Sequence, residues 1–401
     1  MSNVCSTDSS RNQALLRFIS ITVFFLLVSG GLAGAVTDDI KNHVPKPGAF
    51  PPKGAGIHMS GDLVFSEPFN RRGGLRNGDG TTDPRRHYFA MLPYGTVWYH
   101  GAPADIRDIP HGTHMHGRFL LPMEGEEETI PPLTEQQLKR YPLARYNHAF
   151  RLEDDVSFYS RQDRSWKVLG TEQGGGPAPR LKLSVEPVGP EIEGGINKPA
   201  LFDIDESTRI WKGAKLVGMD QLEKGAEVQV NLTWGPFASL ATTDIWLDKE
   251  SLDACKEIQR QRHLRLIRSR FLPGWVDAVK NNDTGGGELT VTLFAGMDPV
   301  LYEEIHKSKP RICDAEMSLR TWAYHAEYAP HANKLEWKKA ENPPPGSSGI
   351  QVRLRVPQML DGFRPGRVVR LKGSWTYVLL PFDEWLVTPE DFERASKLRL
   401  P

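Results

Sequence analysis

The 401-residue sequence has only three cysteines, no net charge and no long apolar run. Fifty basic residues face fifty acidic ones, which argues against a general nucleic-acid binder acting through a basic surface. The longest uncharged apolar stretch, Phe18 to Val28, is 11 residues, short of the ~20 that span a bilayer. Several motifs are missing from the sequence: the G-x-S-x-G elbow, H-E-x-x-H, a phosphate loop, a dinucleotide fingerprint and C-x-x-C. No catalytic residue is therefore named from motif chemistry, although a site built from scattered residues stays open.

What is present points to β modules. Glycine (37) and proline (31) together make about 17% of the chain, against a usual ~12%. That level disfavours long helical bundles and suits strands joined by turns. The length alone suggests two or three modules.

Residues 1–35 read as a secretory signal: Arg11 and Arg17, the apolar core, then SGGLAGA with Ala33 and Ala35 before a cut. An uncleaved anchor helix is the rival, and the missing cysteine after the small residues disfavours a lipoprotein. Removal of this segment takes two basic and one acidic residue, leaving 48 and 49. Only Cys255 and Cys313 then remain. In an oxidising compartment they could pair, or they could sit as two small buried apolar groups.

Residues 36–86 are rich in Gly, Pro and charge and are expected to form a poorly ordered lead-in, its RRGG stretch a solvated linker. Three β modules are expected over 87–190, 191–300 and 301–401. Asp248 caps a predicted helix over 249–271, with Glu250 early, Arg268 and Arg270 late, and Pro273-Gly274 as the stop. Its expected apolar stripe is Leu252, Cys255, Ile258, Leu266 and Phe271. Thr388 and Pro389 start a short predicted C-terminal helix.

The chain also repeats itself. Tyr99-His100-Gly101-Ala102 and Trp211-Lys212-Gly213-Ala214 each lead through a short linker to a glycine and a strand. Those glycines, Gly112 and Gly225, lie 113 residues apart, and Gly366 marks a third copy 141 further on. In the second copy Val228, Val230, Leu232 and Trp234 alternate with Glu227, Gln229, Asn231 and Thr233, so one strand face is apolar. The Trp, Gly, turn and alternating-valine pattern resembles the OB-type five-stranded barrel, and a β-sandwich would carry similar turns. The fold class expected is mainly β: two to three small OB-like or sandwich-like barrels, one long middle helix and a short C-terminal one. Through YGTVWYHGAPADIRDIPHGTHMHGRFLLP, RLEDDVSFYSRQ, STRIWKGA, VNLTW, TDIWLD and PGWVDAV the chain also resembles a group of uncharacterised exported bacterial proteins. That resemblance implies export and adds no catalytic residues.

Four candidate sites follow. His111, His114 and His116, with His100 on the preceding strand, could ligate Zn or Cu, and His148 with Asp154 or Asp155 could add donors. His114 and His116 align with Glu227 and Gln229 on the polar strand face, so they are expected to be accessible. Glu153, Asp154, Asp155, Asp203 and Asp205 could hold a cation or act as acid and base; strand-edge charge is the plainer reading. Lys256, Arg260, Arg262, Arg265, Arg268 and Arg270 could bind an anion or an acidic polymer, or form a solvated helix face. Trp98, Tyr99, Trp211, Trp246 and Trp322 could stack on sugars or pack in cores. The reading these support is an exported, periplasmic or extracellular protein with a binding or assembly role in the cell envelope and no transmembrane helix after processing. Its alternatives are a periplasmic metal-binding protein or metalloenzyme and a polysaccharide-binding or carbohydrate-active protein.

Overall fold

A computed structural model describes residues 40–68, 70–76, 86–125, 134–174, 180–235, 239–314 and 330–374. The signal segment, Trp322 and the expected C-terminal helix lie outside the described residues.

The first barrel is built from β1 (Ile57–Glu67), β2 (Arg72–Arg76), β3 (Arg86–Tyr99), β5 (His114–Leu120) and β6 (His148–Asp154), with β4 (Ala102–Ala104) as a short hairpin partner of β3. Pairing runs β1-β2-β3-β6-β5 and returns to β1, with β3 and β6 parallel and the other pairs antiparallel, so the sheet closes. The second barrel repeats this order. It uses β7 (Ser165–Gln173), β8 (Leu181–Val188), β9 (Ala200–Ile204), β12 (Glu227–Trp234) and β13 (Leu240–Trp246). The third strand is here broken into β9 and β10 (Arg209–Lys212), both parallel to β13, and β11 (Lys215–Val217) is the hairpin partner. A third sheet holds β14 (Leu272–Asn281), β15 (Gly287–Phe294), β16 (Arg311–Asp314), β17 (Asn333–Lys339), β18 (Ser347–Val356) and β19 (Val368–Lys372). Its β14, β15, β18 and β19 pair as the first four strands of each barrel do. The chain is thus mainly β, with two closed five-stranded barrels and a third sheet.

The three repeat glycines occupy one topological place, immediately before the fourth strand. Gly112, Gly225 and Gly366 have φ of 93°, 87° and 79°, in the region that an L side chain enters only at a cost. Each N–H donates to the first strand of its own module: to Leu63 O at 2.8 Å, Val168 O at 2.7 Å and Val276 O at 2.8 Å. Leu63, Val168 and Val276 return their N–H groups to Thr113, Ala226 and Arg367. A bulge follows each of these three residues on its strand. The turn glycine therefore sets where strands one and four meet, three times over.

The alternation also behaves as expected. Val228, Val230 and Leu232 are at most 2% exposed and pack with Trp166, Val168, Phe202 and Ile245 inside the second barrel. Met59, Leu63, Phe89, Met115, Phe119 and Leu152 fill the first, and Val291, Val352, Leu354, Val369 and Leu371 line the third sheet. An aromatic seam joins the first barrel to the third sheet: Tyr94 lies 6.2 Å from Trp275 and 6.3 Å from Phe294, ring centre to ring centre.

Among the described residues four helices connect the strands: α1 (Glu135–Arg140), α2 (Asp155–Ser160), α3 (Lys249–Arg270) and α4 (Pro299–Lys307). Asp154 caps α2 and Asp248 caps α3, each accepting the N–H of the serine three residues on. Ser157 and Ser251 then accept the N–H of Gly101 and Gly213, so each helix start is tied to its module's aromatic-base-glycine turn. No helix among the described residues is long and apolar enough to cross a membrane.

Several expectations are corrected. The 36–86 lead-in contains β1 and β2, so the first barrel begins at Ile57, the second at Ser165 and the third sheet at Leu272. In β2, Gly73 and Gly74 read as loop; a Cβ on Gly73 would come within 2.5 Å of the Phe89 ring, so the glycine makes room for the core. The stripe on α3 is different too. Ile258 is 59% exposed, while Cys255, Gln259, His263, Leu264, Leu266 and Ile267 are buried. Gln259 explains this: its amide donates to Asp108 and to Pro103 O, because the helix packs on a polar turn of the first barrel. Cys255 and Cys313 are buried and unbridged, and the Cys255 sulfur accepts the Trp246 indole N–H at 3.3 Å.

Candidate functional site

The site forms where the outer face of the first barrel meets the second. On β5, Met115 points into the barrel core and therefore turns His114 and His116 outward on the same side. The Asp154 cap makes Asp155 the first residue of α2 and aims its carboxylate at both imidazoles. Asp155 Oδ1 lies 2.9 Å from His114 Nδ1 and 3.0 Å from His116 Nε2. Its other oxygen accepts the Leu232 N–H from β12 at 2.8 Å. His58, on β1, completes a chain: its Nε2 stands 3.2 Å from His116 Nδ1. His116 also stacks on Phe158 at 3.8 Å.

A second carboxylate works in parallel. Asp62, on β1, accepts the Trp234 N–H at 3.0 Å, the Thr233 hydroxyl at 3.2 Å and Arg76 at 2.7 Å. Asp154 adds a third link, accepting from the Asn231 amide at 2.8 Å, while Asn231 accepts the Val156 N–H at 2.9 Å. The reason lies in β12. It pairs with β7 only at Glu227 and Val228, so the N–H groups of Leu232 and Trp234 leave the ladder on that side. Buried amides must be paired, and two carboxylates of the first barrel pair them.

The expectation that His114 and His116 are accessible fails: they are 5% and 3% exposed, and Asp155 is fully buried. They do lie on the polar strand face, but α2 and β12 cover that face. Burial disfavours every charge here. For His114 the opposing Asp155 charge, its hydrogen bond and Asp62 outweigh burial and raise the pKa above the ordinary value. For His116 burial wins and lowers it. His58 is lowered to about 3 by burial and by the charges of His116, Arg118 and His114. Asp155 resists the upward push of burial because His114 and His116 hold its carboxyl well below the usual range. Asp154 is pushed up to about 6 by burial against the hydrogen bonds it accepts. The consistent assignment is a charged His114–Asp155 pair, with neutral His116 donating from Nε2 and accepting from His58 at Nδ1.

The four histidines of the sequence reading do not converge as a set. His114 and His116 come together with Asp155, their donor atoms all within 4.8 Å of one another. His111 is exposed and bonds Ser66 at 3.1 Å. His100 sits in a turn at φ 52°, stacked on Tyr99, with its N–H given to Asp154. His148 is at the opposite end of β6, beside Asn147. The acidic run is not strand-edge charge: Glu153 is buried and accepts from Nε and Nη2 of Arg161, each at 2.7 Å. Asp203 pairs with Lys182 at 2.5 Å, and Asp205 caps its own turn through Ser207. Along α3, Arg260 pairs with Asp298 and Arg268 with Glu304. Tyr99 and Trp246 are buried, and half-buried Trp211 donates to Asp244 at 2.9 Å.

Asp62 and Asn231 escaped the sequence reading, Asp62 because it stands in the lead-in and Asn231 as one more polar residue of an alternating strand. The signal for Asp155 was legible in the repeat: Asp154-x-x-Ser157 and Asp248-x-x-Ser251 are the same helix start. Comparison of the chain with known protein families, characterised proteins and solved structures gives no match.

Proposed function

We propose that the chain is an exported, non-catalytic binding or assembly protein of the cell envelope, its barrels locked into one unit by the histidine–aspartate clamp. One observation carries this reading: the best-organised polar cluster spends its donors and acceptors between two barrels, Asp155 alone bridging His114, His116 and the Leu232 N–H. The segment over residues 1–35 supports export. Fractionation of cells making the full chain tests it. Processed protein held in envelope complexes that survive cross-linking is expected; unprocessed monomer in the cytoplasm would overturn it.

A second reading rests on the same atoms. His114 Nδ1, His116 Nε2 and Asp155 Oδ1 form a nitrogen–oxygen donor set suited to Zn²⁺, in which the ion would replace the two shared protons. Metal analysis separates the two. Substoichiometric metal in the purified wild type favours the clamp; one equivalent, lost in His114→Ala/His116→Ala, favours the metal centre. The saccharide reading loses support, since Tyr99 and Trp246 pack inward.

A further inference from the structure

Helix α3 is seated in all three modules. Its start is tied to the second barrel, where the Ser251 hydroxyl accepts the Gly213 N–H at 2.7 Å and Cys255 takes the Trp246 indole N–H. Its middle rests on the first barrel, where the Gln259 amide donates to Asp108 at 3.0 Å and to Pro103 O at 3.4 Å. Its last turns join the third sheet, with Leu264 and Ile267 in that core and Arg268 paired to Glu304 at 2.7 Å. Positions four apart share a helix face, so Gln259, His263 and Ile267 form one stripe. His263 stands where that stripe changes from a polar seat on the first barrel to an apolar seat on the third sheet.

His263 is 2% exposed, and neither ring nitrogen has a hydrogen-bond partner among the described residues. The acceptors around it are engaged elsewhere. Asp298, at the start of α4, accepts the Val300 N–H at 3.0 Å and two nitrogens of Arg260. On the first barrel, Asp105 accepts the Arg107 N–H at 3.3 Å, while Asp108 accepts the Asp105 N–H at 2.8 Å as well as Gln259. The charges of Asp298 and Asp105 bear on the ring but do not offset burial, which lowers the histidine to about 4. A proton would turn this ring into an unpaired buried cation, far more costly than an unpaired neutral group. Water is the remaining partner, and it is reached only by opening.

We propose that His263 is an acid-sensitive latch, whose protonation opens the middle of α3 away from the first barrel and loosens the arrangement of the three modules. The latch is separate from the histidine–aspartate clamp and depends neither on how that clamp is read nor on export. The opened state holds the proton at the ordinary value of 6.5 and the closed state only at about 4, so the latch is shut above pH 6.5 and yields as pH falls toward 4. A helical stretch lifted from its seats is marginal in water, so its amides lose protection when the latch opens.

Hydrogen exchange of the full chain at about pH 7.5 and about pH 5, corrected for intrinsic rates, reads this local opening. In the wild type the opening equilibrium in the middle of α3 is expected to rise roughly thirtyfold at the lower pH, while the amides of β14, β15 and β18 change less. In His263→Leu the rise in α3 is expected to disappear. His263→Gln, equally unable to titrate, takes its place if leucine prevents folding. The proposal is overturned by no change in α3 with pH, or by the same rise in wild type and variant. It is also overturned by a rise of equal size in α3 and the strands, since His263 would then contribute to global stability without acting as a latch.

Discussion

Asp155→Asn changes one oxygen to an amide and leaves the shape of the side chain nearly intact. The carboxylate accepts from two imidazoles and one backbone N–H at 2.8–3.0 Å in a fully buried place. An asparagine has one acceptor oxygen. If that oxygen faces the Leu232 N–H, its amide hydrogens meet the N–H groups of His114 and His116; if it faces the imidazoles, they meet Leu232. Either way donors oppose, and the charge of His114 loses its partner. Removing one member of a buried ion pair costs roughly 3–5 kcal/mol. With a urea m-value of roughly 3 kcal/mol/M the unfolding midpoint falls by about 1–1.7 M. The cost belongs to the stranded His114 charge, so Asp155→Asn/His114→Gln should recover part of it, giving clear non-additivity. Equilibrium urea unfolding at neutral pH, with and without EDTA, measures both. A loss below about 1 kcal/mol, or strictly additive single variants, would refute the clamp. A wild-type midpoint that drops in EDTA to that of the variant would put a metal in its place.

Acid should destabilise the protein through its buried neutral histidines. His87 and His263 are both lowered to about 4, chiefly by burial. A lowered folded pKa means that the unfolded chain binds the extra protons, so stability is lost as pH falls from about 6.5 toward 4. Each histidine accounts for about 2 kcal/mol by pH 5. Asp154 works in the opposite sense, its contribution fading as pH rises toward its folded value of about 6. Among the described residues both nitrogens of His263 are buried with no hydrogen-bond partner; His263→Leu should therefore raise the melting temperature and flatten its dependence on pH between 4 and 6.5, and a lower melting temperature would contradict this. Among the repeat glycines, Gly225→Ala should cost about 1–2 kcal/mol from backbone strain alone, since no atom lies within 4 Å of the added Cβ. Gly112→Ala should match it, while Gly366→Ala should cost more, because its Cβ meets Pro47 at 3.3 Å. Thermal melts rank the three, and a cost near zero at Gly225 would show that its φ is not required.

How much of this the sequence carried depends on the kind of information. Alternation reports which side of a strand faces a core, and Val228, Val230 and Leu232 were read from it alone. A φ of 79–93° strongly favours glycine, so Gly112, Gly225 and Gly366 are legible as one recurring turn. Alternation does not report what packs on the other side. Alternation places His114 and His116 on the outer face but carries no sign of their burial, because their cover comes from residues 39 or more positions away. Gln259 and His263 were passed over on α3 for the same reason: an apolar stripe is sought where a helix meets a core, and α3 meets a polar turn.

The two seams of the first barrel follow from this difference. Toward the third sheet it offers Tyr94, which packs against Trp275 and Phe294 in an apolar joint. Toward the second barrel it meets the unpaired stretch of β12, where apolar cover would strand the N–H groups of Leu232 and Trp234, each at a cost of about 1–3 kcal/mol. Acceptors are therefore required there, and carboxylates are the strongest ones available. Once Asp155 is buried beside β5, its charge needs an answer, and the outward positions of that strand supply His114 and His116. In the second copy the equivalent positions hold Glu227 and Gln229, which bond Ser165 and the Arg164 carbonyl within their own barrel. The histidine pair is thus explained by the open edge it faces, not by the fold it sits on.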